Sequence, residues 1–224
     1  MGSPLKRTDR TAVRRLPTRG SYDRGVLNAI LDEGLVCHVG FVVSEQPYVI
    51  PTTYGRAGDT LYIHGSAASR MLKEMRGGIR VCLTVTHLDG LVLARSAFHH
   101  SMNYRSAMVL GTAEEVTAAD ERWEALRVIV DHVVPGRWEN TRPPTENEMR
   151  ATLVLRLAID EASAKIRTGP PVDDDADYSL AFWAGELPIR TSFLPAVPDP
   201  RLATAMAVPV HVSGYRRPEG PPAI

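Results

Sequence analysis

The feature that most constrains the fold is a series of short segments in which apolar and polar residues alternate. Such segments lie at about 35–43, 47–54, 60–64, 79–87 and 103–116. Alternation with a period of two, β-branched content and turn residues at the junctions are typical of half-buried β-strands. Closely spaced strands with few inserted helices predict a closed or nearly closed antiparallel barrel.

Other patterns place the remaining elements. Helical spacing predicts helices at 23–33 and 119–134, and the Thr145/Glu148 capping box predicts a short third one. Asp89-Gly90 is typical of a two-residue hairpin, so we expect a separate strand, LVLARS, directly after it. Alternation resumes at 153–159 and predicts a long strand with one solvated face.

Composition predicts one domain with two appendages. The chain has 224 residues and 44% hydrophobic content, enough for a core. We expect a flexible basic arm at 1–20, a barrel domain at 21–195 and a Pro-rich tail at 196–224. The acidic run at 169–177 is interpreted as a solvated linker.

Charge and cysteine content limit the classes of partner. With 26 basic and 26 acidic residues, the chain has no overall attraction for nucleic acid or an anionic membrane, so neither is an expected partner. Its longest apolar stretches are shorter than the ~20 residues of a membrane span. Cys37 and Cys82 lie in apolar strand patterns and are expected to be free thiols. A cytoplasmic, reducing location follows.

The segment 61–76, LYIHGSAASRMLKEMR, combines a strand, a small-residue elbow and a basic helix start. Free N–H groups at a helix start, the hydroxyls of Ser66 and Ser69, and the cation of Arg70 are the groups that bind a phosphate. An ordinary strand-turn-helix with a serine cap fits the same residues equally well.

The order of two strands, the elbow with its helix, and two more strands resembles the pyridoxamine 5'-phosphate oxidase-like superfamily, the FMN-binding split β-barrel. The stretches 135–174 and FWAGELP (182–188) resemble its flavin-nucleotide-binding branch, akin to nitroimidazole-resistance reductases. The similarity extends over about 22–209. It implies a mainly β fold with inserted helices (α+β), antiparallel and Greek-key-like, and a homodimer with FMN at the subunit interface.

The resemblance also implies which residues contact the cofactor. The family has Ser-Arg-Lys at the helix start, whereas this chain has Ser69-Arg70-Met71, with Lys73 as the substitute lysine. The flavin ring is expected along one strand and beside a second. The predicted contacts are Ser66, Ser69, Arg70 and Lys73 for the phosphate, Pro51, Thr52, Thr53 and Tyr54 along the ring, and Tyr104, Arg105 and Ser106 on the next strand.

His64 and Trp183 complete the predicted site. Nitroimidazole-reductase relatives have a histidine at the place of His64, near the flavin, where it would donate a proton or contact substrate. Its alternative role is structural. Trp183 resembles the Trp-x-Gly of true pyridoxamine-phosphate oxidases, and its alternative is a core or interface aromatic. The Arg-x-His element that follows in those enzymes is absent, since Arg190 is displaced by one. Vitamin B6 oxidation is therefore not expected.

The predicted function is that of an FMN-dependent oxidoreductase, which transfers electrons from a reduced nicotinamide to a small organic acceptor. Two alternatives keep the fold: a non-catalytic flavin- or haem-binding protein, and a deazaflavin-dependent reductase. No zinc-type spacing, hydrolase motif, dinucleotide fingerprint or P-loop occurs in the sequence, so no metal site is predicted.

Overall fold

The computed structural model describes residues 4–202 and 206–218, with side chains throughout except at Arg70 and Met71. The described elements are, in chain order, β1 (Gly20–Ser21), α1 (Arg24–Glu33), β2 (Val36–Val43), β3 (Gln46–Ala57), β4 (Thr60–Ser66), α2 (Arg70–Met75), β5 (Arg80–Leu93), β6 (Ser101–Thr112), β7 (Glu114–Glu115), α3 (Ala119–Val133), α4 (Glu146–Ala151), β8 (Thr152–Ala158), β9 (Glu161–Arg167), β10 (Gly185–Pro188) and α5 (Val210–Ser213).

The strands form one antiparallel sheet in the order β1-β9-β6-β5-β2-β3-β4-β8-β7, and β10 pairs with the end of β5. The sheet curls until β6 approaches β8, although no ladder joins them. Gly111 permits this approach, because a Cβ there would lie 2.6 Å from Leu157 Cδ1. The molecule is thus the split barrel that the sequence predicts, mainly β with inserted helices.

The interior of the barrel is filled by side chains from one face of the sheet. Along β5, for example, Val81, Leu83 and Val85 are at most 5% exposed, while the residues between them lie on the other face. A cavity between these barrel side chains has a volume of about 10 Å³, no larger than one water molecule needs. A ligand as large as a flavin must therefore bind outside the core.

Two helices cover parts of the barrel. The Asp23 carboxylate caps α1 by accepting a 2.9 Å hydrogen bond from Val26 N, and α1 buries Leu27, Ile30 and Leu31 completely. α3 packs on the outer face of β3 and β4, where Ala125 and Ile129 form a second, smaller core with Tyr62. Within the described residues, no helix is both long and apolar enough to cross a membrane.

The hairpin predicted at Asp89-Gly90 is wrong. β5 continues through this dipeptide to Leu93 and pairs with β6 along its whole length, with a bulge between Leu88 and Gly90. A bulge absorbs one extra residue without ending the ladder, and the Asp89 carboxylate is held there by the Arg105 guanidinium. The strand predicted over 103–116 is likewise interrupted after Thr112.

Besides the two-residue β1, two strands lie where none was predicted. β9 buries Ala162, Ser163 and Ala164 in succession, so its small residues give no alternating signal. β10 follows the acidic run and pairs Gly185 with Leu93. Both are recognisable only from the strands beside them.

The N-terminal segment expected to be flexible is docked on the barrel from residue 4 onward. Leu5 is 5% exposed within the main core, and its N–H donates to Tyr22 O at 2.9 Å. Thr11 is 1% exposed, and the Thr8 hydroxyl donates to the Glu161 carboxylate of β9. The basic residues are therefore carried on a fixed backbone.

The acidic run and the tail are also packed against the barrel. Asp173 is buried, contrary to the solvated linker that was predicted, and its carboxylate accepts hydrogen bonds from Arg95 N and Ser96 N at 3.1 and 3.2 Å. In the tail, the Tyr215 hydroxyl donates to Val133 O at 2.6 Å. Asp173 and Tyr215 therefore attach the acidic run and the described end of the tail to the rest of the protein.

Candidate functional site

A gap opens in the sheet where β3 separates from β4. Residues 46–53 of β3 pair with β2, and only its last four residues, from Tyr54 onward, pair with β4. β4 pairs with β8 over its whole length, from Thr60 to Ser66, so His64 to Ser66 have a partner strand on that side only. The backbone beyond the Tyr54–Ile63 pair is consequently split, with Thr53 on one side and His64 on the other. We call this gap, with the elbow leading into α2, the β3–β4 cleft.

The predicted ring-contacting residues lie at the rim of the cleft, with one exception. Pro51 is exposed, and Thr52 and Thr53 are half-buried. Tyr54 is fully buried, its hydroxyl donates to Leu31 O, and its ring contacts His132 at 4.6 Å between centroids. Alternation turns the Tyr54 side chain into the core, so only its backbone groups are left for the predicted flavin contact, which stays a prediction.

His64 lies inside the cleft on the face opposite the main core. Its neighbour Ile63 is buried in the barrel, so alternation directs His64 to the same face as Tyr62. The Nδ1 atom of His64 is buried and has no hydrogen-bond partner among the described residues. Burial lowers the pKa of this imidazole from its usual value, which favours the neutral form. A buried, unpartnered ring nitrogen in a cleft is a group suited to contact a bound ligand.

The elbow brings the predicted phosphate-contacting residues together. The Ser66 hydroxyl accepts from Ala68 N at 3.1 Å and tightens the turn. Ser69 occupies the N-cap position of α2 without a side-chain capping bond, and Lys73 is exposed one turn later. Gly65 allows α2 to pack closely, since a Cβ there would lie 2.9 Å from Leu72 Cδ1. The side chain of Arg70 lies outside the described part, so its role stays a prediction.

Arg105 forms ion pairs with two carboxylates. Its side chain is 11% exposed and bridges two carboxylates, those of Glu33 at the end of α1 and Asp89 in the β5 bulge. Nε and Nη2 donate to Asp89 at 2.9 and 2.8 Å, and Nη2 also donates to Glu33 at 2.9 Å. These acids hold the pKa of Arg105 above its ordinary value, despite burial. The Arg105 guanidinium is thus occupied by two carboxylates, and its contact with a flavin stays a prediction.

Tyr104 and Ser106 lie away from the cleft in the same chain. In the sheet, β5 and β2 separate β6 from β3. Both side chains are half-buried, and the Ser106 hydroxyl donates to Lys165 O at 3.2 Å. Within one chain, Tyr104 and Ser106 are therefore not neighbours of His64 and Thr53.

A buried polar group beside Tyr104 was missed by sequence reasoning. Arg167, which pairs with Tyr104 across the ladder, is 7% exposed and donates to the Asn103 side chain and to Pro170 O. Asn103 in turn donates to Glu186 of β10 at 2.5 Å. Sequence reasoning did not find Arg167 and its partners because neither β9 nor β10 is recognisable from alternation.

Trp183 is not a core residue, since it is 71% exposed, and the adjacent Phe182 is 64% exposed. The indole lies over Gly185, where a Cβ would meet its Cη2 atom at 2.9 Å. Two neighbouring exposed aromatics are unusual on a free surface. Trp183 is therefore available to a ligand or a second chain.

The two cysteines agree with the sequence prediction. Cys37 is buried and Cys82 half-buried, and both are free thiols. Burial raises the pKa of the Cys37 thiol to about 12, so it is unreactive. In the part of the chain that the structure describes, no three His, Cys, Asp or Glu side chains are grouped so that they could hold a metal ion.

Comparison with known proteins identifies the class of this barrel. The sequence profile of the pyridoxamine 5'-phosphate oxidase family matches residues 23–166. The chain belongs to this family. No curated protein matches the chain.

Solved structures give more specific similarities. The flavocytochrome Anf3 from Azotobacter vinelandii is 44% identical over 96% of this chain and 100% of its own, with a TM-score of 0.90. An FAD and haem binding protein from Mycobacterium smegmatis is 37% identical over 89% and 98%, with a TM-score of 0.85. A protein described as a 5-nitroimidazole antibiotic resistance protein, from Bacteroides thetaiotaomicron, is 25% identical over 66% and 86%, with a TM-score of 0.54.

Proposed function

We propose that the chain is a flavin-binding redox protein and that the flavin occupies the β3–β4 cleft. The observation that carries the proposal is the buried Nδ1 atom of His64, which has no partner in the described chain and lies between Thr53 and the Ser66–Ser69 elbow. The filled barrel interior supports a site outside the core. Two relatives of nearly full length, a flavocytochrome and an FAD and haem binding protein, support the class of cofactor.

The residues of the cleft fit a flavin that carries a 5'-phosphate. Backbone groups and hydroxyls of Thr52 and Thr53 would contact the ring edge, and the elbow with Ser69 and Lys73 would hold the phosphate. FMN is the flavin expected from the sequence, and FAD contains the same phosphate. When bound, the isoalloxazine supplies the redox chemistry, and the protein positions it.

Thermal unfolding with FMN, FAD and riboflavin tests this assignment. A ligand that binds only the folded state at a hundred times its Kd stabilises by about 2.7 kcal/mol, which corresponds to roughly 5–10 °C for a chain of this size. We expect that shift with FMN or FAD and a far smaller one with riboflavin, which lacks the phosphate. Equal shifts for FMN and riboflavin would show that the elbow does not bind the phosphate.

Arg70→Ala tests the phosphate contact directly. We expect FMN binding to weaken by about 1.5–3 kcal/mol, the range for hydrogen bonds to charged groups, with little change in the stability of the apoprotein. Arg80→Ala removes an exposed cation outside the elbow and serves as the control. Unchanged affinity in Arg70→Ala would place the phosphate elsewhere.

We further propose oxidoreductase activity, in which a reduced nicotinamide donates electrons and a small organic molecule accepts them. In this reaction the neutral imidazole of His64 would accept the proton that accompanies electron transfer, and the imidazolium so formed would donate it again. His64→Ala should keep the flavin absorption spectrum and lower turnover by ~10²–10⁴-fold. Loss of thermal stability with an unchanged rate per folded molecule would instead make His64 a structural residue.

Haem binding is a second candidate, favoured by the near-complete coverage of two haem-containing relatives. Imidazole nitrogen is a common axial ligand of haem iron, and His64 Nδ1 and His211 Nε2 are both buried without a partner in the described chain. An absorption spectrum of the purified protein distinguishes haem, flavin and deazaflavin by their chromophores. Absence of a haem band after haem reconstitution, in protein that binds flavin, would leave the flavin role alone.

A homodimer with the cofactor at its interface is also part of the proposal. A second copy is the means by which Tyr104, which lies away from the cleft, and Trp183, which is exposed, would contact the flavin. Sedimentation should give a dimer of the 24.6 kDa chain, and Trp183→Ala should weaken either dimerisation or flavin binding. A monomer that binds flavin with full affinity would contradict this part. The two free thiols favour a reducing, cytoplasmic location.

A further inference from the structure

The N-terminal arm, residues 4–19, has a fixed shape. Leu5 lies in the main core at the start of the arm, and Thr11 is buried within the turn at residues 8–12. That turn is closed by Ala12 N donating to Thr8 O at 2.9 Å, and the Tyr22 hydroxyl accepts from Val13 N at 3.0 Å. Side chains along the arm are therefore presented from a defined backbone.

The arm concentrates positive charge on a chain that has none overall. Residues 1–24 contain seven basic and two acidic residues, so the other 200 residues carry five more acidic than basic side chains. Arg10 is paired with Glu161 of β9. Four further cations of the arm are exposed and have no ion pair within the described residues. They are Lys6, Arg7, Arg14 and Arg15.

Two of these cations line an open groove of about 440 Å³. Its lining consists of Arg7, Arg14, Thr8, Ala12 and one acidic residue, Asp9. Exposed cations that line a groove and have no ion pair within the described residues favour an acidic ligand by electrostatic attraction. The openness of the groove to solvent suits a protruding side chain of a partner.

We propose that the N-terminal arm is the docking surface for an acidic protein, of the class of small acidic electron carriers. Nucleic acid is disfavoured because the chain outside the arm is acidic and the arm exposes no aromatic side chain for base stacking. An acidic protein needs only a local complementary surface, which accelerates encounter and orients the partner. The choice of a carrier as the partner rests on the proposed redox function, whereas the docking itself does not.

Surface plasmon resonance with an immobilised plant-type [2Fe–2S] ferredoxin, an acidic protein, provides the test. We expect saturable binding that weakens as ionic strength rises, and a loss of ~10-fold or more in the variant Arg7→Glu/Arg14→Glu. The control variant Arg80→Glu/Arg190→Glu makes the same change of net charge at exposed positions outside the arm and should bind nearly as well as wild type. Cytochrome c, a basic protein, should not bind.

Each other outcome overturns the inference. Equal losses in the two double variants would show that binding depends only on the net charge of the chain. If ferredoxin does not bind, an acidic carrier is not the partner of the arm. Tighter binding to duplex DNA or to phosphatidylserine vesicles than to ferredoxin would assign the arm to those polyanions. Because the measurement does not use the cofactor, it gives the same answer whether or not the chain binds flavin.

Discussion

At the scale of single residues, Arg105 and Arg156 make a matched pair, because each guanidinium bridges two carboxylates. Arg105 joins Glu33 and Asp89 with its side chain 11% exposed. Arg156 joins Glu114 and Glu121 with its side chain 44% exposed. The two sites differ in burial, and burial determines how strongly the removal of one partner is felt.

Arg105→Met should lower the free energy of unfolding by about 3–5 kcal/mol at neutral pH, because two partly buried carboxylates lose their common counter-charge. Arg156→Met should lower it by less than about 1 kcal/mol, since water solvates the acids that remain. Urea denaturation followed by far-UV circular dichroism measures both. Equal effects in the two variants would refute the role assigned to burial.

His132 gives a prediction about pH. Its ring is half-buried against Tyr54, its Nε2 lies 2.7 Å from Gly34 O, and burial lowers its pKa below the usual 6.5. The unfolded chain therefore binds more protons than the folded one as pH falls below 6.5, and stability decreases with falling pH in that range. His64 contributes in the same direction.

The free energy of unfolding should thus be highest above about pH 6.5 and fall toward pH 5. His132→Asn should cost about 1–3 kcal/mol at pH 7.5, because a buried partner of Gly34 O is changed, and should flatten this pH dependence. His100→Asn, at an exposed site, should keep the wild-type slope. A slope that His132→Asn leaves unchanged would assign the titration to other groups.

At the scale of elements, the close packing of α3 against the sheet depends on Gly55. A Cβ at this position would lie 2.8 Å from Ile129 Cα and 2.9 Å from Val128 C, both backbone atoms of α3. The helix would have to move away from the sheet to admit a methyl group. Close packing of α3 therefore requires the absence of a side chain in β3 at this point.

Gly55→Ala should destabilise the protein by about 1–3 kcal/mol through overpacking. Gly40→Ala is the control within the same sheet, because its Cβ would meet Cys82 O at an ordinary 3.5 Å. Thermal unfolding of the two variants measures the difference. A Gly55→Ala protein as stable as Gly40→Ala would mean that α3 shifts without cost.

Alternation predicts β2, β3, β4 and the first part of β5, because each has one face in the core. It fails for β9, where small side chains are buried on both faces at Ala162 to Ala164. The same rule determines which side chains of β3 face the cleft, since the Tyr54 side chain is in the core and that of Thr53 is not. Arg105 could not be assigned from sequence, because its partners are brought together by α1 and the β5 bulge.

At the scale of the whole molecule, the tail joins two helices through one side chain. The Arg217 guanidinium donates to Glu33 O and Gly34 O at 2.9 and 3.0 Å, and also to Asp32 O and His132 O. These carbonyls belong to the ends of α1 and α3, which have no partners inside their own helices. A residue far along the sequence thus satisfies both helix ends.

Arg217→Ala should lower the free energy of unfolding by about 1.5–3 kcal/mol, the range for hydrogen bonds made by a charged group. It should also make the tail more susceptible to limited proteolysis. Arg216→Ala, at the neighbouring exposed position, should change neither property. Identical proteolysis patterns for the two variants would show that Arg217 does not hold the tail.

The separation of the filled barrel interior from the β3–β4 cleft has a consequence for the evolution of such proteins. The core residues carry the stability, while the cleft is lined by strand ends and an elbow that bury little apolar surface. Substitutions at Thr52, Thr53, His64 or Lys73 can therefore accumulate without unfolding the chain. A lineage built on this barrel is free to exchange one bound group or one electron acceptor for another while inheriting the same scaffold.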